Sequence, residues 1–333
     1  MMFTVDFSLP LSKIKWPREW LHIRDLVEQF YDSEDVILKS SGSTGTPSSY
    51  RFSNRQIHAS ARRTMKVLGV DGGEAALVLP VDFTGGRMLL YRAMIYRMKL
   101  QLHSPSLSIK PTKPVDMISV TPAQWFANKS FLMHCGSVLI GGGELSGEPS
   151  EFPSHVLHSY GMTETLSNVA LRRPLSDTHF TALDGVRFSQ SHDGALIISD
   201  SYLGIEALET NDLVELIDDR HFMFRGRRDK VINSGGVKIN LDEWLTAWRS
   251  ISDVDVQPVG MPDDELGQML VLLVKNDALQ AGSLDALFSK LSKHWRPKRV
   301  YNVKEFATTS SGKPKIFLHP QDVSELAPKI IKP

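Results

Sequence analysis

The chain has 333 residues, and 38 Lys and Arg are balanced by 38 Asp and Glu, so no global field steers it toward nucleic acid or an anionic membrane. That length allows two or three domains with buried cores, and a 41% hydrophobic composition without low-complexity segments points to a globular enzyme. The single cysteine, Cys135, excludes an internal disulfide and any multi-thiolate metal site.

The opening residues, MMFTVDFSLP, lack the basic start and apolar core of a signal peptide. No stretch reaches the ~20 apolar residues of a membrane helix, so a reducing cytoplasm is the expected setting. Neither nucleic acid nor membrane is expected as a partner, and pairing with another copy of the chain is left open. Val36 to Leu38 reads as a strand running into a glycine-serine loop. Ser53 then opens a helix, with Gln56 completing a capping box. Ala75 to Leu79 is a buried strand closed by Pro80, and Gly86 to Met98 shows helical spacing. Val115 to Val120 is another strand, followed by Thr121-Pro122-Ala123-Gln124, an N-cap, a proline at the first helical position and a box glutamine. Cys135, behind Phe131-Leu132-Met133, reads as a small buried hydrophobe. Ser137 to Ile140 is a further strand, ending on three glycines.

This alternation predicts a layered α/β domain with a mostly parallel sheet, whose ligands gather beyond the carboxyl ends of strands. The loops after Leu38, Leu79 and Ile140 are where chemistry is expected. From about Gly194 the strands become shorter and more alternating: Ala195 to Ser199, Leu213 to Ile217 and Phe222 to Phe224, with a turn at Asp218-Asp219. From Asp229 onward a small α+β segment is expected. Its first helix is capped by Asn240 with Glu243, its second lies near Leu284 to Leu291, and Arg225 to Lys230 is its linker.

Ser40-Ser41-Gly42-Ser43-Thr44-Gly45-Thr46-Pro47 follows the first strand directly, and such small residues let backbone N–H groups and hydroxyls converge on an anion. No Gly-Lys-Ser/Thr follows, so it is not a Walker loop, and a plain connection is the alternative. In His158-Ser159-Tyr160-Gly161-Met162-Thr163-Glu164 the tyrosine ring offers a face to a base. The threonine can reach a phosphate, and the glutamate can hold Mg²⁺; a helix start with solvated caps is the alternative. Asp212, in Thr210-Asn211-Asp212, can accept both hydroxyls of a ribose, and Arg227 can bind ribose or phosphate oxygens, unless Asp212 is an ordinary loop residue. Ser310-Ser311-Gly312-Lys313 sets a lysine on a flexible turn, where a solvated lysine is the alternative.

Taken in order, SSGSTGTP, GGGE at 141–144, SYGMTE, TNDLVEL, RGRRDKVINSGGVKI and SSGKPK resemble the adenylate-forming superfamily of acyl-CoA synthetases, luciferases and peptide-synthetase adenylation domains. The resemblance runs from about Val36 to Lys315. Leu79-Pro80, Gly85-Gly86, Arg92 and Ser119-Val120-Thr121-Pro122 are similar to the o-succinylbenzoate–CoA ligases of menaquinone biosynthesis. It implies a large layered α/β domain with a β-rich subdomain over 1–228 and a small mobile α+β domain over 229–333. The implied activity is ATP-dependent ligation of a small carboxylic acid, 2-succinylbenzoate by preference, to coenzyme A as co-substrate, with Mg²⁺. Another aryl or short-chain acid is an alternative, as is a catalytically degenerate relative that binds nucleotide or acyl-CoA.

By the same resemblance, Ser41, Gly42, Ser43, Thr44, Gly45 and Thr46 wrap the β- and γ-phosphates. Gly142, Gly143 and Glu144 form the adenine pocket with Ser159, Tyr160 and Gly161. Thr163 contacts the α-phosphate, Glu164 holds the magnesium, and Asp212 holds the ribose with Arg227. Lys313 bridges the acid carboxylate and the α-phosphate during adenylation. Asp229 is the hinge about which the small domain turns, bringing Ser234, Gly235 and Gly236 to line a pantetheine tunnel. Phe83, Gly85, Gly86, Arg87 and Ser167 are the acid-pocket candidates. A pocket arginine suits a second carboxylate, the alternative being that Arg87 and Arg92 are exposed helix residues. The chain departs from the family pattern in three places. The phosphate loop begins already at Ser40, so an N-terminal subdomain is expected to be missing or shortened. Ser48 stands where a lysine is usual, leaving pyrophosphate to Arg51 or another cation, and Asp82-Phe83 replaces an aromatic–histidine pair.

Overall fold

The computed structural model describes residues 2–39, 48–109, 111, 113–143, 145, 149–275, 286–307, 315–324 and 329–330. Strand β1 (Met2–Asp6) precedes helix α1 (Leu21–Asp32), which buries Ile23, Val27 and Phe30 at helical spacing. Strands β2 (Asp35–Lys39) and β3 (Ser49–Ser53) form an antiparallel ribbon in which Lys39 faces Ser49. The strand at 36–38 therefore does not join the parallel sheet as expected. It pairs instead with the residues on the far side of the glycine-serine segment.

Helix α2 (Asn54–Leu68) begins on the expected box, with Ser53 Oγ accepting from Gln56 N at 3.4 Å and Gln56 Oε1 accepting from Ser53 N at 2.9 Å. The chain then alternates: β4 (Glu74–Leu77), α3 (Thr84–Ile95), β5 (Lys99–His103), β6 (Met117–Val120), α4 (Pro122–Ala127), α5 (Lys129–Leu132), β7 (Ser137–Ile140) and β8 (Val156–Met162). Thr121 and Gln124 close the second expected box at the start of α4. Strands β5, β4, β6, β7 and β8 lie side by side, all parallel. Every residue of β6 and β7 is buried, as a sheet covered on both faces requires. Trp125, Leu132, Phe152 and Cys135 pack against them, and burial pushes the Cys135 thiol above its ordinary pKa.

The remaining strands are β9 (Ser167–Arg172), β10 (Phe180–Ala182), β11 (Val186–Gln190), β12 (Ala195–Asp200), β13 (Ile205–Asp218) and β14 (His221–Arg227). With them the sheet order is β1-β5-β4-β6-β7-β8-β9-β10-β14-β13-β12-β11. The expected turn falls at Asp219-Arg220, one residue late. β13 is longer than the sequence suggests: Thr210, Asp212 and Val214 are buried in alternation, so Asp212 is a strand residue rather than a loop residue.

The chain divides into two compact units, one of Met1–Ser189, Ile197–Leu208 and Leu216–Met223, the other of Gln190–Leu196, Glu209–Glu215 and Phe224–Pro333. The second holds β15 (Val231–Ser234), β16 (Val237–Asn240), helix α6 (Leu241–Arg249), β17 (Val256–Asp263), β18 (Gly267–Lys275), β19 (Arg299–Val303) and β20 (Lys329–Ile330). Both faces of β18 are covered: Leu270, Leu272 and Val274 pack with Trp244 and Trp248, while Met269, Val271 and Leu273 pack with Met261 and Tyr301. Asn240 caps α6 as expected, its Oδ1 accepting from Asp242 N at 2.9 Å. Of the helix expected near 284–291, residues 284 and 285 lie outside the described residues, and 286–288 are helical. The architecture is the expected α/β layering with a β-rich part and an α+β part. Among the described residues no helix is long and apolar enough to cross a membrane.

Candidate functional site

In the first unit, Phe83 to Arg87 follow β4, Gly142 and Gly143 follow β7, and Thr163 and Glu164 follow β8, at the carboxyl ends where open α/β sheets place ligands, while Ser159 to Gly161 lie in β8 itself. β8 ends at Met162, and Thr163–Thr165 forms a 3-10 turn instead of opening a helix. Thr165 Oγ1 locks this turn, accepting from Met162 N at 3.1 Å and donating to Ser167 O at 2.8 Å. Leu166 and Ser167 then take φ of 53° and 96°, left-handed values that non-glycine residues hold only when their surroundings impose them. Thr84, at the start of α3, pairs its hydroxyl with that of Thr163 at 2.8 Å. Tyr50 Oη donates to Glu164 Oε1 at 3.0 Å, joining the β2–β3 ribbon to the turn.

The other side of this site is set by glycines and a histidine. A Cβ at Gly141 would lie 2.4 Å from Ser159 Oγ and displace that hydroxyl, which donates to Ile140 O at 3.1 Å. Gly142 has φ of 80° and open space beside it. The Gly143 carbonyl lies 3.0 Å from His158 Nε2, while Arg172 Nε donates to His158 Nδ1 at 3.1 Å. That pairing makes Nε2 the protonated nitrogen. Burial, then the Arg172 charge, pushes the His158 pKa down to about 4. Tyr160 is buried, its ring edge-on to Phe222 at 5.0 Å. At Gly161 an added Cβ would lie 2.0 Å from Ser167 O, so this glycine is required by the bulge where β8 meets β9.

Of the acid-pocket candidates, Phe83 is 50% exposed and Ser167 is half-buried. Gly85 is exposed beside Leu79. Gly86 is buried, and its Cβ would meet Pro80 O at 2.3 Å, so the glycine lets α3 seat against Pro80. Arg87 is half-buried, and its Nε donates to Val81 O at 2.8 Å. Arg92 is the residue whose placement differs most from the exposed-helix alternative. It is 1% exposed, and its Nη2 donates to Asn168 Oδ1 at 3.0 Å and Ser167 Oγ at 3.3 Å. Its hydrogen-bond partners are neutral, its Nε is buried without a partner among the described residues, and burial lowers its pKa to about 10. Its neighbour Arg63 is committed to Asp200 at 2.6 Å.

In the second unit, Arg227 is held between two aspartates. Its Nη1 donates to Asp212 Oδ1 at 2.9 Å, and its Nε and Nη2 fork onto Asp229 at 2.8 Å each. Arg228–Lys230 is a 3-10 turn, so the expected linker is a strand end and a turn. Gly226 permits the close approach of Asn240, whose Nδ2 would lie 2.5 Å from an added Cβ. Ser234 and Val237 close a two-residue hairpin in which Gly235 and Gly236 have φ of 59° and 81°, as its turn demands. Ser41 to Thr46, Glu144 and Lys313 lie outside the described residues. Tyr50, Thr84 and the His158–Arg172 pair were not singled out as functional groups in the sequence. The alternation of β3 and the position of His158 within its motif were the available signals.

No protein-family model matches the chain. It is 25% identical over 365 aligned positions to a 2-succinylbenzoate–CoA ligase of Staphylococcus epidermidis, covering 93% of this chain and 76% of that one. The solved structure of an acyl-CoA synthetase (AMP-forming)/AMP-acid ligase II-like protein from Dyadobacter fermentans is 30% identical, covers 94% of this chain and 97% of its own, and superposes with a TM-score of 0.62. The o-succinylbenzoate CoA synthetase of Bacillus subtilis, solved with its acyl-adenylate intermediate, shares the fold with a TM-score of 0.69 at 20% identity, over 84% of this chain and 67% of its own. The fold is that of the adenylate-forming enzymes. The chain belongs to the AMP-forming acyl-CoA synthetase family.

Proposed function

We propose that the chain is an ATP-dependent acid–CoA ligase whose acid is 2-succinylbenzoate. In the first half-reaction a carboxylate oxygen of the acid attacks the α-phosphorus and pyrophosphate leaves. In the second the thiol of coenzyme A attacks the acyl carbon and AMP leaves. The Thr163 hydroxyl, paired with that of Thr84, would contact the α-phosphate. The carboxylate of Glu164, with hydroxyl oxygens beside it, is the hard donor set that suits Mg²⁺ carried on phosphate oxygens. Held by Glu164, such an ion would supply positive charge to the phosphates. Gly142 and Gly143, with Ser159, Tyr160 and Gly161, are assigned to the adenine. The Asp212 carboxylate would accept the ribose hydroxyls, oriented by an Arg227 that is itself fixed on Asp229. Ser41 to Thr46, Lys313 and Ser234 to Gly236 keep the phosphate, bridging and pantetheine roles that the resemblance gives them.

The observation that carries the choice of acid is Arg92. A guanidinium whose partners among the described residues are all neutral is costly to bury unless an anion completes it. The carboxylate of 2-succinylbenzoate that is not activated would supply that anion beside Ser167. The relatives named as 2-succinylbenzoate–CoA ligases support the same acid. Arg92→Met would test it. The KM for 2-succinylbenzoate should rise by about a hundredfold, the loss of a charge-assisted contact, while turnover of an aryl or short-chain acid with a single carboxylate changes little. Equal losses on both acids would remove Arg92 from substrate recognition.

A further inference from the structure

We propose that Tyr50 is a positioning residue for Glu164 that takes over part of the work of the absent loop lysine, an inference resting on the reading of Glu164 as the magnesium-holding group. Ser48, which stands where that lysine is usual, hydrogen-bonds the Tyr50 phenol, and the phenol donates to Glu164 Oε1 at 3.0 Å. Ser48, Tyr50 and Glu164 thus form one chain of hydrogen bonds linking the end of the phosphate-loop segment to the 3-10 turn. The alternation of β3 explains why Tyr50 is the residue that arrives. Tyr50 and Phe52 share one side of the strand, and Arg51 takes the other, where its Nη1 meets Asp35 Oδ2 at 3.2 Å. Arg51, the cation expected to serve pyrophosphate, is therefore turned away from Glu164.

The two side chains, lysine and tyrosine, would act differently. An ammonium beside Glu164 neutralises the carboxylate and competes with a metal for it. A neutral phenol occupies one oxygen with a single hydrogen bond and leaves Oε2 and the full negative charge to a cation. It also removes rotational freedom from a glutamate that is only half-buried, so less ordering remains to be done when the ion arrives. The chain would then meet the charge of the phosphates through a well-held divalent ion rather than through a protein cation. Its nucleotide affinity should accordingly fall steeply when Mg²⁺ is scarce.

The test is a calorimetric titration of ATP into the protein at a series of free Mg²⁺ concentrations, without any acid present. Tyr50→Phe removes only the hydroxyl. It should raise the half-saturating Mg²⁺ by about tenfold, the scale of one hydrogen bond to a charged group. The unfolding temperature and the ATP affinity at saturating Mg²⁺ should remain near those of the parent. In a Glu164→Gln background the same substitution should add nothing, because the two groups act as one unit. An unchanged midpoint in folded Tyr50→Phe, or effects that simply add in the double variant, would overturn the proposal. A Glu164→Gln protein with a normal Mg²⁺ dependence would instead sink the reading of Glu164 itself, so the two failures are distinguishable.

Discussion

Burial and the Arg172 guanidinium push the His158 pKa down to about 4, from an ordinary value of 6.5. Above pH 6.5 His158 is neutral in both the folded and unfolded chain, and its Nε2–H can bond the Gly143 carbonyl. Below 6.5 the unfolded chain takes up a proton that the folded one refuses. This contribution to stability is therefore present above 6.5 and lost as pH falls toward 4, by about 3 kcal/mol at most. His158→Gln keeps a donor for Gly143 and removes the titration. Denaturant midpoints measured across that window should decline less steeply in the variant, and parallel curves would show that His158 is not the group responsible. Gly161 and Gly142 make a second residue-scale contrast. Alanine at 161 would drive a Cβ to within 2.0 Å of the Ser167 carbonyl, whereas at 142 nothing lies within 4 Å and only the left-handed φ is penalised. Thermal unfolding should show a loss of about 3 kcal/mol for Gly161→Ala and about 1 kcal/mol for Gly142→Ala. Equal losses would contradict the account of the bulge.

At the scale of elements, the parallel strands and both capping boxes were legible because buried apolar runs and Ser/Thr-x-x-Gln spacing are local signals. β13 was legible only from Leu213, since Thr210, Asn211 and Asp212 are polar and their alternation is read only after burial is known. β2 reads as a strand, but its pairing with β3 outside the parallel sheet is not legible, because a strand's partner is not written in its own residues. The site shows the same division. The motifs are local signals, but Tyr50 meets Glu164 across 114 residues of chain, and Arg92 meets Asn168 across 76. No periodicity reports pairings of that kind. Among the elements, the end of β14 carries the next prediction. Arg227→Lys keeps the charge but cannot both fork onto Asp229 and reach Asp212. ATP affinity should drop by about tenfold, measured by equilibrium binding, with little change in unfolding temperature. Unchanged affinity would separate this bracket from the ribose.

For the molecule as a whole, the claim is that one chain runs two half-reactions with different residues. Lys313→Ala should abolish pyrophosphate release while largely keeping thioester formation from preformed acyl-adenylate. Equal loss of both would mean that the lysine serves the structure and not the first step. The family places adenylation and thiol transfer together, and Arg92 adds a reason for the particular acid. The most direct measurement is acid-dependent pyrophosphate release from MgATP, screened over aryl and short-chain acids with and without coenzyme A. The account predicts release with 2-succinylbenzoate, and a coenzyme A-dependent thioester of the same acid. Release with a monocarboxylic acid in preference to it would contradict the role of Arg92, and no release with any acid by a protein that still binds MgATP would contradict ligase activity altogether.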